Sequence, residues 1–336
     1  MIVVSYLLLS GIWGFMKNKN ISIALCTYNG ERFLREQLDS ILKQTYQNFE
    51  IIIVDDCSSD FTIRIINEYM EKYENIYLYQ NKTNLGFIKN FEKAISLCSG
   101  NFICLADQDD IWLEQKLELF LKEIKNNVLI YSDAILIDEF SNKTNEMLIH
   151  PKNLVFGNNN KAFLLDNCLS GNTLMFKKEL LKYILPIPNE ISFHDIWIGF
   201  VATTYGTITY TPTAMTLYRR YSEQVTFVRK KEHKNFIDRL KHKKISKIEN
   251  SIKQLKNMNA FISLDILKEK EIREIIIELI HHYKNYENMF YNFSLSNILN
   301  KHKEKIFYIQ NPKKRNKLIF KFSSGLKIHT YTLFIL

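Results

Sequence analysis

The 336 residues include only ten glycines, five cysteines and no apolar run of the ~20 residues a spanning helix needs, and each shortage removes a class of protein. Cys26, Cys57, Cys98, Cys104 and Cys168 form no CxxC pair, and most sit in or beside apolar runs. Small buried hydrophobes fit there, so the chain reads as one with reduced thiols in the cytoplasm and no zinc. The first strand-like run leads into Thr27-Tyr28-Asn29-Gly30, with one glycine where a phosphate-cradling loop would have several. Zinc-finger spacing, a basic zipper and an RNP-type aromatic signature are all missing, so no nucleic acid is expected as a partner. No internal repeat suggests a solenoid.

Residues Met1–Met16 are uncharged and apolar and precede Lys17 and Lys19. The stretch lacks the positive start and small-residue cleavage site of a secretory signal. It reads as an extension or weak anchor, with Met16 as the expected natural start.

The positive charge is plentiful but uneven. A formal net charge of +9 is concentrated in Arg229–Lys247 and Lys301–Lys317, which fits an anionic surface. Acidic lipid is the expected surface, because each Lys or Arg near it contributes about 1 kcal/mol. The expected division is residues 1–16 as an extension, 17–228 as the main domain and 229–336 as a basic, mostly helical region.

From Ile21 the sequence alternates short apolar runs with segments of helical period, as in a parallel α/β sheet. Strands are expected at Ile21–Cys26, Glu50–Val54, Ile76–Gln80 and Phe102–Ala106. Between them, Phe33, Leu34, Leu38, Ile41 and Leu42, then Ile65, Ile66 and Tyr69, then Phe87, Phe91, Ile95 and Leu97 recur at helical spacing. Further on, a helix is expected at Ile196–Thr204 and a strand pair at Thr207–Tyr210 and Met215–Tyr218. Beyond Val228, Ile245, Ile248, Ile252 and Leu255, then Ile275, Ile276, Leu279 and Ile280, mark amphipathic helices. These read as a solvated extension, an oligomer contact or a membrane contact.

Polar residues cluster where strands end, the edge at which open α/β sheets bind ligands. Asp107-Gln108-Asp109-Asp110 follows the apolar Phe102–Ala106. Such a group of carboxylates suits a hard divalent cation that bridges a diphosphate, and equally suits an acidic turn whose last Asp caps a helix near Trp112. Asp55 and Asp56 end another strand, while Ser58, Ser59 or Asp60 is suited to cap the next helix. His194-Asp195 stands at a helix start, where Asp195 could cap or act as a general base.

Taken together, the ordered segments Ile23–Gly30, Asp55–Asp60, Asn84–Phe87, Ala106–Trp112 and Phe193–Asp195 resemble the glycosyltransferase family 2 enzymes, especially the bacterial rhamnosyltransferase-like branch, over about residues 21–226. The resemblance implies a GT-A fold: a Rossmann-like, mostly parallel α/β sheet flanked by helices, here with a helical C-terminal extension. It implies inverting transfer of a rhamnosyl or other hexosyl group from a nucleotide-diphosphate sugar to a glycan or lipid-linked acceptor on the cytoplasmic face, with Mg2+ or Mn2+ as cofactor. It places Asp195 as the base, Thr27, Tyr28, Asn29, Asp56, Asn84, Lys89 and Asp107 around the donor nucleotide, and Asp107 and Asp109 on the metal. Gly171, Asn172, His194, Trp197, Arg219 and Arg220 would face the phosphates or the acceptor.

One departure stands out. After Leu217-Tyr218-Arg219, relatives commonly carry Gln-His and then an Asn, whereas this chain has Arg220-Tyr221 and then Glu223-Gln224. A phenol that loses its proton only near about pH 10 is a poor ligand for a hard metal, so Arg219 and Arg220 are expected to pair with phosphate instead. Two other readings compete: a nucleotidyltransferase that makes sugar nucleotides, which the single glycine after the first strand disfavours, and an impaired, membrane-docked scaffold.

Overall fold

The computed structural model describes residues 20–148, 154–222, 224, 236–307 and 312–327. The expectations for residues 1–16, the Val228 boundary, Glu223 and the start of the basic run from Arg229 therefore fall outside the described residues.

Strands β1 (Ile21–Thr27), β2 (Phe49–Asp55), β3 (Ile76–Gln80) and β4 (Phe102–Asp107) alternate with helices α1 (Leu34–Leu42), α2 (Thr62–Met70) and α3 (Phe87–Ser96). There follow β5 (Ile111–Trp112), α4 (Lys116–Ile124), β6 (Leu129–Ile137), β7 (Lys143–Met147), β8 (Leu174–Lys177), α5 (Leu181–Ile184), α6 (His194–Tyr205) and β9 (Ile208–Arg219). The sheet order is β3-β2-β1-β4-β8-β6-β9-β5, with β7 on β6. β1 through β4 pair in parallel, while β8 is antiparallel to both β4 and β6.

Period-two alternation sorts the strand side chains into two cores. Ile21, Ile23 and Leu25 of β1 and Ile51 and Ile53 of β2 pack with Leu34, Leu38 and Ile41 of α1. Ala24, Ile52 and Val54 point to the other face, with Phe91 and Ile95 of α3. Both faces are covered, which is why these strands read as nearly continuous apolar runs. The chain visits β2 and β3 on one side of β1, then returns to β4 on the other. This reversal of strand order opens a crevice at the carboxyl ends of β1 and β4.

The strand pair expected near Thr207–Tyr218 is instead one strand, β9, paired in parallel with β6. Its register jumps from Ser132↔Thr211 to Ala134↔Thr216. Thr-Pro-Thr at 211–213 enters this bulge, which accommodates a proline that cannot donate to the ladder.

After residue 235 come α7 (Phe236–Ile262), α8 (Lys270–Lys284), α9 (Phe293–Lys301), α10 (Lys303–Ile306) and α11 (Pro312–Ser323). They are not a solvated extension. Met258, Phe261, Ile276 and Leu299 share a core with Phe200 and Val201 of α6, and Phe261 stacks on Phe200 with ring centroids 4.0 Å apart. Buried Lys161 pairs with Glu271 at 3.1 Å, and Asn257 of α7 accepts the Ser192 N–H at 2.9 Å. Because Phe261 is completely buried, Phe261→Ala should cost about 3 kcal/mol. A calorimetric scan should show the melting temperature lowered by roughly 4 °C.

Candidate active site

The loops after β1, β2 and β4 are locked to one another before any ligand arrives. Asp55, at the end of β2, accepts the Thr27 hydroxyl at 2.8 Å, the Ser58 hydroxyl at 2.5 Å and the Ser58 N–H at 2.8 Å. Asn29 holds φ 46°, a left-handed conformation Asn tolerates. Its amide donates to Ser58 Oγ and its side-chain oxygen accepts from Ser59 N–H, each at 2.8 Å. Gln108 makes a reciprocal pair with the Tyr28 backbone, accepting its N–H at 2.8 Å and donating to its carbonyl at 3.0 Å. This needs close approach: a Cβ at Gly30 would lie 2.2 Å from Gln108 Oε1.

Asp56 is buried, and its carboxylate accepts the N–H groups of Leu85 at 2.8 Å and Gly86 at 2.9 Å and the Asn81 amide at 2.8 Å. Gly86 holds φ 81° as it turns into α3, a conformation that favours glycine. Asp56 thus shapes the Asn84–Gly86 loop as well as lining the cavity. Ser58 and Ser59 bond to Asp55 and Asn29, while Asp60 accepts the Thr62 N–H at 3.0 Å at the start of α2.

The acidic quartet divides into two roles. Asp110 is fully buried and accepts the Arg219 N–H at 3.0 Å and the Asn172 side-chain amide. Its expected role as a helix cap is overturned, because β5 follows it and α4 begins only at Lys116. Asp107 and Asp109 face the cavity. Burial first, then Asp109 and Asp195, push the Asp107 carboxyl up to about 7. Burial also raises Asp109, against a 2.8 Å hydrogen bond donated by the Tyr221 phenol. Beneath them Lys116 is completely buried, donates to the Asn172 carbonyl at 2.5 Å and lies 3.6 Å from the Trp112 ring centroid. Burial pulls its ammonium down to about 7, while Asp110 and Asp107 favour the charged form.

The opposite wall comes from α6. Asp195 lies in its first turn and accepts the Ile196 N–H at 2.6 Å. Burial pushes its carboxyl up to about 7, although hydrogen bonds from Ile196 N–H and Asn167 favour the charged form. His194 stacks on Phe91 at 4.2 Å. A Cβ at Gly171 would lie 2.7 Å from His194 Nε2.

These elements enclose a cavity of about 590 Å3, onto which Thr27, Tyr28, Asn29, Asp56, Asn84, Asp107, Asp109, Gly171, His194 and Asp195 all open. Phe87, Phe91, Ser170 and Tyr218 line it as well, and the sequence reading missed them as site residues. Gln108 and Lys116 were missed too. A lone amide amid three carboxylates was a usable signal for Gln108, while nothing local marks Lys116.

Five expected site residues lie elsewhere. The Asn172 side chain is buried between Asp110 and Ser170. Trp197 donates its indole N–H to the Ile184 carbonyl at 2.9 Å in the core. Lys89 bonds to Glu92 at 2.7 Å and to the Ile187 carbonyl at 2.9 Å, beside a separate groove with Leu85 and Pro186. Arg219 is completely buried, paired with Glu36 at 2.7 Å and donating to the Asp109 carbonyl at 2.7 Å. It therefore braces the acidic loop from behind and is not placed to take a phosphate. Arg220 is exposed, 5.9 Å from the centroid of the Tyr218 ring.

Among its described lining the cavity holds four carboxylates and no Lys or Arg. Asp107 and Asp109, raised by burial, are a donor pair that a hard cation would relieve. No cluster of three or more His, Cys, Asp or Glu ligands occurs among the described residues. Two carboxylates at a strand end are hard oxygen donors, the kind magnesium takes together with waters and substrate phosphates.

The sequence match to glycosyl transferase family 2 covers residues 22–185. An uncharacterised glycosyltransferase of Methanocaldococcus jannaschii is 32% identical over 57% of this chain and 68% of its own length. Also similar is a UDP-Glc:α-D-GlcNAc-diphosphoundecaprenol β-1,3-glucosyltransferase of Escherichia coli, 30% identical over 54% of this chain and 69% of its own. Among solved structures, Staphylococcus aureus TarS 1–349 in complex with UDP-GlcNAc matches with a TM-score of 0.58 at 18% identity, over 89% of this chain and 83% of that one. The mannosyltransferase PcManGT of Pyrobaculum calidifontis, in complex with GDP-Man and Mn2+, matches with a TM-score of 0.51 at 15% identity, over 85% and 73%. The structural likenesses agree with a GT-A fold, and the identity to the archaeal relative over more than two thirds of its length settles the family: the chain belongs to glycosyl transferase family 2 and is a glycosyltransferase.

Proposed function

We propose that the chain transfers a hexosyl group, rhamnosyl or another, from a nucleoside-diphosphate sugar to a hydroxyl of a lipid-linked or cell-surface glycan, with inversion at the anomeric carbon. The observation that carries this reading is the cavity's charge pattern. Three of its carboxylates stand at strand ends, a fourth enters from the helix opposite, and no described lining residue is cationic.

In this reading Thr27, Tyr28, Asn29 and Asn84 surround the nucleoside, while Asp107 and Asp109 hold a divalent cation. When bound, the cation supplies positive charge to the departing diphosphate. Asp195 accepts the proton of the acceptor hydroxyl as that oxygen bonds to the anomeric carbon, and the bond from that carbon to the diphosphate breaks on the opposite face.

The acceptor reading draws on the E. coli relative, whose name specifies a diphosphoundecaprenol-linked sugar. Peripheral contact with an anionic membrane is supported by Phe290, Phe293 and Phe320, which are exposed around α9 and α11, beside Lys317 and Lys321. No helix among the described residues is long and apolar enough to cross a membrane.

Thermal melts of the full chain with UDP, GDP and dTDP, each with and without Mn2+, test the reading. One nucleotide at 100 times its Kd should add about 2.7 kcal/mol in the presence of Mn2+ and little without it. If no nucleoside diphosphate raises the melting temperature under either condition, the reading fails.

A further inference from the structure

His194 is 7% exposed and lines the cavity, yet neither ring nitrogen has a hydrogen-bond partner among the described residues. A buried polar atom left unpaired is costly, so a pair of them on one ring that lines a cavity needs an explanation. Aromatic neighbours hold the ring: Phe91 stacks on it at 4.2 Å and Phe87 meets it edge-on at 6.1 Å. On another side Gly171 leaves the room a side chain would fill. Burial pulls the imidazole down to about 3, so near neutral pH it offers one N–H donor and one lone-pair acceptor. A sugar hydroxyl, both donor and acceptor, matches that pair.

We propose that the imidazole of His194 reads a hydroxyl of the transferred sugar, and that this end of the cavity accepts neutral pyranoses only. The inference rests on the reading of the cavity as a nucleotide-sugar site and names what its sugar end selects. The donor is assigned here because Phe87 and Phe91 belong to α3, whose start is the Asn84–Gly86 loop held by Asp56. His194 and the expected nucleotide contacts thus share one wall. Neutrality follows from charge: with the cation of Asp107 and Asp109 taken up by the diphosphate, a uronic acid carboxylate would face Asp195 with no described lining Lys or Arg to meet it. The aromatic wall of Phe87, Phe91 and Phe193 offers apolar surface for the C–H face of a ring.

Titration calorimetry in Mn2+ tests this with UDP, GDP and dTDP and with UDP-glucose, UDP-glucuronic acid, GDP-mannose and dTDP-rhamnose. The measured quantity is the Kd of a conjugate divided by the Kd of its bare nucleoside diphosphate. His194→Phe keeps the ring stack and removes both nitrogens; it should raise that ratio about tenfold for the preferred hexose while leaving the bare nucleotide's Kd within twofold. His194→Asn, which keeps a donor and an acceptor, should restore part of the loss. Gly171→Ala, which displaces the ring without altering it, should raise the ratio as well. UDP-glucuronic acid should bind at least tenfold more weakly than UDP-glucose. A ratio unchanged in His194→Phe and Gly171→Ala, or equal binding of the uronate and the hexose, overturns the inference and leaves the nucleotide site standing. Failure of every bare nucleotide to bind the parent enzyme overturns the cavity reading and the inference with it.

Discussion

An Asp195→Asn enzyme should fold and bind donor nucleotide as the parent does, yet transfer sugar at least about 10²-fold more slowly. The substitution keeps the shape of the side chain and an oxygen that can still accept the Ile196 N–H, so α6 starts as before. What it loses is the capacity to take the acceptor proton. The parent's pH profile carries the same signature. Burial raises the Asp195 carboxyl to about 7, and the base acts only when ionised, so kcat/KM should rise with pH through about 7 and level off above it. Asp107 stands at about 7 for the same first reason. Saturating Mn2+ favours its charged form and leaves the remaining acid limb to Asp195. A transfer rate in the variant within threefold of the parent's, with the acid limb intact, would remove Asp195 from the role of base.

Asp109→Asn should be at least as damaging, by another route. Its carboxylate faces the cavity with Asp107 and is held by the Tyr221 phenol. Burial first, then the charge and the hydrogen bond of Asp109, raises the Tyr221 phenol and keeps it a protonated donor. Removing one of the two proposed anionic ligands should forfeit several kcal/mol of charge stabilisation, a fall of about 10³-fold in turnover. The parent should be silenced by EDTA and restored by Mn2+, and the variant should not respond to Mn2+. Parent activity that survives EDTA would count against Asp107 and Asp109 as metal ligands.

The frame of the fold was legible because it is written in local pattern. Apolar runs of strand length, spaced by amphipathic segments, place the polar turns at one sheet edge, and every cavity carboxylate sits at a strand end, in the turn after it or at a helix start. Distant partnerships were not legible. Arg219 ends a strand next to the acidic loop, which suits a phosphate ligand, but Glu36, far away in sequence, claims its guanidinium. Lys116 begins an amphipathic helix and would pass for a surface residue, yet it lies under the carboxylates with the Asn172 carbonyl as acceptor. Trp197 follows Asp195 closely, but the 3.6-residue turn carries its indole away from the cavity into the core. In each case three-dimensional proximity decides the role, and a single sequence does not encode it locally.

The contact of Phe261 with Phe200 makes the described C-terminal helices mechanically continuous with the cavity wall that bears Asp195. Phe261 of α7 packs against Phe200 of the helix that bears Asp195, and Asn257 tethers the turn just before that helix. Substitutions far from the cavity should therefore tilt Asp195, the proposed base, and change turnover while binding stays intact. An exchange of C-terminal segments between related chains would transplant part of the catalytic alignment, so the natural unit for engineering this enzyme extends well past the matched family region.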